Sequence, residues 1–237
     1  MERTTTWGMI DGRSVVFPAH TSELNVLMLV FVTPAEVVRS WLPGDDFELA
    51  VAPDGTAHVV LAVHECLGGD WGACNTCDLS VPARPVGASA SDQRDGVYLR
   101  DPLVNRRFHG EIAYWCMGIP RRVAAVDVAH RGDSVSFLVA EGDEPALDVR
   151  IAGATPAARS RLVRNRCYAY LDGEPVVVPF DLEFPERFLD RDSVTIVLGT
   201  GPLADDLATI GLPRRPDAVA WGTGLDSTFH APYPYTP

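Results

Sequence analysis

The sequence predicts a β-rich α+β fold whose sheet is curled or closed, and three observations carry that expectation. Eleven short runs are rich in β-branched residues and bounded by turn residues. Asp-Gly pairs lie between two couples of these runs and supply the positive φ that a two-residue hairpin turn needs. Three segments alone carry helical start and stop signals. With 237 residues, 46% of them hydrophobic, and no internal repeat or long polar linker, the chain reads as one domain over 1–237.

Taken in order, runs 15–19 and 24–32 are strands, and Thr33-Pro34-Ala35-Glu36 has the form of a capping box with proline at the first helical position. This first helix carries Val37 and Trp41 one turn apart and stops at Pro43. Runs 47–52 and 57–65 flank an Asp54-Gly55 turn, 75–81 is the next strand, and 86–96 has the composition of a mobile loop. Asp101-Pro102 opens a second helix with Val104, Phe108, Ile112 and Trp115 on one face and Arg107 and Glu111 on the other, ending around Gly118 ahead of Pro120. Strands 123–130 and 134–140 are joined by Arg131-Gly132-Asp133, 147–151 follows, and 167–170 and 176–182 flank Asp172-Gly173. Strand 194–199 precedes a third helix over 202–210, stopped by Gly211 and Pro213. Gly222-Thr223-Gly224 reads as turn material, and most neighbouring strands are expected to pair antiparallel.

Composition narrows the chemistry. A formal charge of −12 and a pI near 4.8 argue against nucleic acid and anionic membrane as partners. All 20 basic side chains are arginine. A desolvated lysine can become a neutral amine that attacks a carbonyl, whereas guanidinium stays charged; side-chain Schiff bases and pyridoxal phosphate held on lysine are excluded. Five cysteines, an odd number, and an N-terminus without a signal-peptide pattern lead to the expectation of a reducing cytoplasm. The apolar run 24–32 is less than half of a membrane span. Cys74-Asn75-Thr76-Cys77 is a C-x-x-C, but its cysteines face opposite ways on a regular strand and no second pair completes a zinc tetrahedron, so no metal is expected. No phosphate loop, dinucleotide fingerprint, H-E-x-x-H helix or G-x-S-x-G elbow occurs, and no cofactor is expected.

The segment Tyr114-Trp115-Cys116-Met117-Gly118-Ile119-Pro120-Arg121-Arg122 is a helix end that turns into a strand beginning with paired arginines. It resembles the W-G-F-P-K-K-like segment of the acetoacetate decarboxylase-like superfamily. The order of further pieces is similar too: Thr-Pro-Ala-Glu with Trp41-Leu42-Pro43-Gly44, the strand in 72–81, and Gly201-Pro202-Leu203-Ala204-Asp205-Asp206-Leu207. The resemblance implies a cone-shaped, largely antiparallel β-barrel with an internal cavity and a few short helices, usually assembled as a homo-oligomer. In that family the first lysine forms the Schiff base and the second lowers its pKa by like-charge repulsion. Here the two positions are Arg121 and Arg122, the family's cavity carboxylate falls on Thr76, and its upstream arginine falls near Leu24. Decarboxylation through an iminium is therefore not available to this chain.

Strand alternation suggests what lines the cavity instead. If Thr76 faces inward, Cys74, Asp78 and Ser80 share its face, and Asp78 either supplies a carboxylate one pleat further on or points at solvent on the rim. Of the two arginines, Arg121 is the one expected inside, to bind a carboxylate or stabilise an enolate, or else to form an ion pair at the helix-to-strand junction. His64 and Glu65 project to opposite faces; His64 is a candidate base or a hydrogen-bonded structural residue. Tyr114 could donate to a bound carbonyl or simply pack, while His109 and Glu111 are expected to be solvated. The expected catalytic set is Arg121, Asp78, His64 and Tyr114, with Thr76, Cys74, Arg122, Glu65, Trp115 and Met117 lining the substrate. The functional expectation is a lysine-independent lyase- or cyclase-type enzyme of specialised metabolism, acting on a small keto, enol or polyketide-like substrate by proton transfer, dehydration or cyclisation. A non-catalytic small-molecule binding protein that kept the barrel is the competing expectation.

Overall fold

In a computed structural model of the chain, residues 4–88, 95–155 and 159–235 are described. Strands β1 (Thr5–Ile10) and β2 (Arg13–Phe17) form a hairpin about Asp11-Gly12, both at positive φ. Strand β3 (Ala19–Pro34) leads into α1 (Ala35–Val38) and a 3-10 turn over Arg39–Trp41. Then come β4 (Phe47–Leu49), β5 (Thr56–Gly69), β6 (Cys74–Pro85), β7 (Gly96–Val104), α2 (Arg107–Met117), β8 (Arg122–Val123) and β9 (Ala125–Arg131). Two hairpins follow, β10 (Ser134–Glu141) with β11 (Glu144–Ile151) and β12 (Ser160–Leu171) with β13 (Glu174–Pro185). The chain continues through β14 (Val194–Leu198), α3 (Pro202–Thr209), β15 (Ala218–Phe229) and β16 (Tyr233–Pro234).

The larger sheet runs β4-β6-β5-β3-β15-β13-β12-β7-β8, and β7 pairs with β6 as well as β12. Hydrogen-bonded neighbours from β6 round to β7 therefore return on themselves, which removes the open edge of these strands. Alternation then gives the ring two faces. On the outer face Leu27, Leu29, Phe31, Leu61 and Leu79 pack against Val135, Phe137, Val139 and Leu147 of a second sheet, β14-β11-β10-β9. Trp221 of β15 meets Phe137 of β10 edge-on with ring centroids 5.8 Å apart. On the inner face Val26, Met28, Ala62, Ala220 and Leu225 form one apolar patch. Ile112, Ala113, Cys116 and Met117 of α2 build another with Phe17, Cys167 and Val178. A polar tie links both sheets: Asn25 Nδ2 donates to Glu65 Oε2 (2.7 Å), whose other neighbour is His130 Nε2 (2.8 Å), and Gly224 N donates to Asn25 Oδ1 (3.2 Å).

All eleven expected runs contain strand, several extended, although 15–19 divides between β2 and β3 at Pro18, 47–52 shortens to Phe47–Leu49 and 123–130 is broken at Ala124; the turns at Arg131-Gly132-Asp133 and Asp172-Gly173 close hairpins. Five expectations are corrected. β3 continues through Thr33-Pro34, so the first helix is one turn long and has no side-chain cap. The second helix begins at Arg107, because Asp101-Pro102 lies inside β7, where the ladder to β6 overrides the local start signal. Its buried residues are Gly110, Ile112, Ala113, Cys116 and Met117, which turns Trp115 outward. Asp54-Gly55 makes a turn, but β4 pairs with β6 and not with β5. Gly222-Thr223-Gly224 belongs to β15, at a bulge where the register shifts between Gly222 and Leu225. The expected loop 86–96 lies partly outside the described residues.

Candidate functional site

The inner face becomes polar where β5, β6 and the entry to β8 meet. Arg121 is aimed there by the end of α2: Gly118 takes the left-handed conformation at φ +70, and Ile119 N donates back to Ala113 O at 2.9 Å. Only glycine fits, since a Cβ at Gly118 would lie 2.5 Å from Tyr170 O. The guanidinium grips Asp78 with two hydrogen bonds, Nη1 to Oδ1 at 2.6 Å and Nη2 to Oδ2 at 2.9 Å. Nη1 also reaches Leu103 O at 3.4 Å. Both side chains are buried, 11% and 8% exposed.

Thr76 Oγ1 donates to Asp78 Oδ2 at 3.3 Å, and His64 Nδ1 lies 3.0 Å from Thr76 Oγ1 and 3.5 Å from Asp78 Oδ2. With the threonine proton directed at Asp78, its oxygen accepts from His64, which places the ring proton on Nδ1 and leaves the lone pair on Nε2. Burial pushes the imidazole below its ordinary value of 6.5, against the pull of Asp78 and with help from the Arg121 charge. His64 is therefore neutral near pH 7. Burial opposes the Arg121 cation, but the charge and hydrogen bonds of Asp78 outweigh it and the guanidinium is held more firmly protonated than usual. Cys74, Thr76, Asp78 and Ser80 retain 6–8% exposure, whereas Cys77, Leu79 and Val81 on the other face retain 0–1%. The inner face is thus less tightly sealed than the core between the sheets.

The expected site residues separate into distinct places. His64, Thr76, Asp78 and Arg121 form one hydrogen-bonded cluster, with Cys74 on the same strand face. Arg122 turns outward to Glu141, as alternation with Arg121 requires. Tyr114 and Trp115 are half-exposed and border a surface cleft of about 310 Å³ against Pro120, Arg122 and Val123, which Arg121 also borders. The helix phase that buries Ile112 and Cys116 carries these two aromatics away from the cluster, so they are corrected from inner-site residues to cleft residues. Glu65 sits in the tie to Asn25 and His130, and Met117 is buried in the α2 patch; neither faces the cluster. Three neighbours lie outside the expected site set: Cys66, Cys167 and His109. Cys66 is two residues beyond His64, on the same face of a strand that the sequence reading stopped at Glu65. His109, expected to be solvated, is half-buried with Nε2 3.2 Å from Gly72 O. Its spacing one turn ahead of Ile112 and Ala113 was the available signal.

No protein-family profile and no curated protein sequence matches the chain. Solved structures do. An acetoacetate decarboxylase from Legionella pneumophila superposes with a TM-score of 0.64 at 14% identity, covering 98% of this chain and 94% of that one. The enduracididine biosynthesis enzyme MppR, complexed with pyruvate, superposes at 0.58 with 14% identity over 92% and 90%. An acetoacetate decarboxylase-like enzyme from Sphingomonas wittichii superposes at 0.56 with 15% identity over 98% and 99%. No helix among the described residues is long and apolar enough to cross a membrane. At both ends of the superposition nearly the whole chain is matched, and this protein has the acetoacetate decarboxylase-like fold.

Proposed function

We propose that the protein is an enzyme that moves a proton on a small keto or enol substrate without forming a Schiff base. The observation that carries this reading is the buried Arg121–Asp78 pair with a neutral His64 beside it, set between two apolar patches. His64 Nε2 removes the proton from carbon next to the carbonyl, and the electron pair moves onto the carbonyl oxygen. Arg121 stabilises that oxygen through guanidinium N–H groups not engaged by Asp78, in surroundings where hydrogen bonds to developing charge are strong. Asp78 and Thr76 orient the two acting groups. Dehydration, ring closure and other lyase or cyclase reactions of polyketide-like substrates begin from the same enolate, which makes specialised metabolism the natural setting. Solved neighbours with a biosynthetic enzyme among them support the reading.

One observation favours the alternative of a binding protein: both terminal nitrogens of Arg121 already hold Asp78. Deuterium exchange separates the two. Pyruvate in heavy water, followed by proton NMR, is expected to lose its methyl signal faster with the protein than without it. His64→Gln should reduce the acceleration by about 100-fold or more, the usual contribution of a general base. Because burial holds the imidazole neutral, the activity should persist as pH falls below 6.5. Substrates of this class bound intact with no exchange would establish the binding reading.

A further inference from the structure

Beside the polar cluster, on the same face, lies a second group of reactive side chains. Cys66 and Cys74 are directly opposite each other in the β5–β6 ladder. Directly opposed residues of antiparallel strands have Cα atoms about 4.5–5.5 Å apart, within the roughly 4.4–6.8 Å that a disulfide spans. The two thiols thus face one another across the ladder, and the His109 imidazole of α2 acts electrostatically on Cys74. The contact of His109 Nε2 with Gly72 O requires a proton on Nε2, so Nδ1 carries the lone pair; Nδ1 is buried and has no hydrogen-bond partner of its own. Proton transfer from Cys74 gives that nitrogen a role. Among the described residues all five cysteines are free.

We infer that Cys66 and Cys74 are an oxidisable dithiol, with Cys74 as the attacking sulfur, Cys66 as the resolving thiol, and a small peroxide as the oxidant. The assignment of roles follows from surroundings. The neighbouring Cys66 thiol, with His109 and the Arg121 charge, lowers the Cys74 thiol below its ordinary value, against the opposing effect of burial. Cys74 in turn, together with burial, raises Cys66, which stays protonated. The thiolate is the form that attacks a peroxide, and a thiol beside the resulting sulfenic acid condenses with it to a disulfide. In the first step the Cys74 thiolate displaces hydroxide from hydrogen peroxide, forming S–O and breaking O–O, while the proton held by His109 goes to the hydroxide. Cys66 sulfur then attacks Cys74 sulfur, forming S–S, and the sulfenic oxygen leaves as water with the Cys66 proton. Two thiols are oxidised by two electrons, and one peroxide becomes two waters.

The disulfide would fasten β5 to β6 two residues from both His64 and Thr76, so oxidation state and the geometry of the cluster are joined. The test does not depend on turnover. The purified, reduced chain is treated with one equivalent of hydrogen peroxide, alkylated, digested without reductant and mapped by mass spectrometry, folded and in parallel in urea. In the folded protein the expected product is a Cys66–Cys74 linked peptide with Cys77, Cys116 and Cys167 alkylated; in urea that selectivity should disappear. His109→Gln is expected to slow formation of the linked peptide at least about tenfold, and Cys66→Ser is expected to leave a Cys74 sulfenic acid that dimedone captures. Oxidation of another cysteine first in the folded chain, or Cys66 and Cys74 remaining thiols, would overturn the proposal. An unchanged rate in His109→Gln would remove the imidazole from it.

Discussion

Arg121 and Asp78 are each other's solvent. Both charges are largely withdrawn from water, so each leans mainly on the two hydrogen bonds between them. Removing one partner leaves the other buried and unpaired, which costs about 3–5 kcal/mol, whereas replacing both with apolar side chains of similar volume is often neutral. Arg121→Met is therefore expected to lose about 3–5 kcal/mol in urea unfolding, and the double variant Arg121→Met with Asp78→Leu to regain at least half of that. A double variant no more stable than the single one would show that Asp78 draws its stability from Thr76 and His64 instead. The exchange activity should be absent from both, since neither retains the cation. At this scale the sequence was informative for residues on β6, where alternation from Thr76 led to Asp78 and Cys74. It was uninformative for Tyr114 and Trp115, whose direction depends on a helix phase set by tertiary burial.

Elements here are placed by their ends. Helix α2 stops at Gly118, and the backbone of β12 passes so closely that a Cβ would fall 2.5 Å from Tyr170 O and 2.6 Å from its carbonyl carbon. Gly118→Ala adds this clash to the roughly 1–2 kcal/mol of a left-handed non-glycine residue. It should lower the melting temperature measurably and displace Arg121 three residues on. The matched substitution Gly132→Ala, also at positive φ but with nothing within 4 Å, should pay only the conformational part. The sequence marked Gly118 as a helix stop but could not show what stood beyond it. It also misplaced the start of α2, because Asp101-Pro102 is a good local signal that the ladder to β6 on either side of it overrides. Strand β15 went unrecognised for the opposite reason: its glycines read as a turn, and only the bulge against β3 gives them a place in a ladder. Asp172-Gly173 was legible because the turn type is decided by those two residues alone.

Beside the β1–β2 hairpin, the described residues form two sheets sharing one apolar layer, with the polar cluster on the far side of the larger sheet. Phe137 is fully buried at the centre of that layer, against Trp221. Phe137→Ala should cost about 3–5 kcal/mol and lower the melting temperature by on the order of 10 °C. Because the residue joins both sheets, far-UV and near-UV signals should still be lost together; two separate transitions would mean that the small sheet is an independent unit. Strand β3 stands at the middle of this construction. One flank is β5, close behind it in the chain, and the other is β15, which arrives only after the entire second sheet. During vectorial synthesis on the ribosome, then, Leu24 to Val30 must wait with one row of amides and carbonyls unmatched until Ala218–Phe229 has emerged. That interval is when a chaperone or an aggregating neighbour would find this edge of β3 to bind.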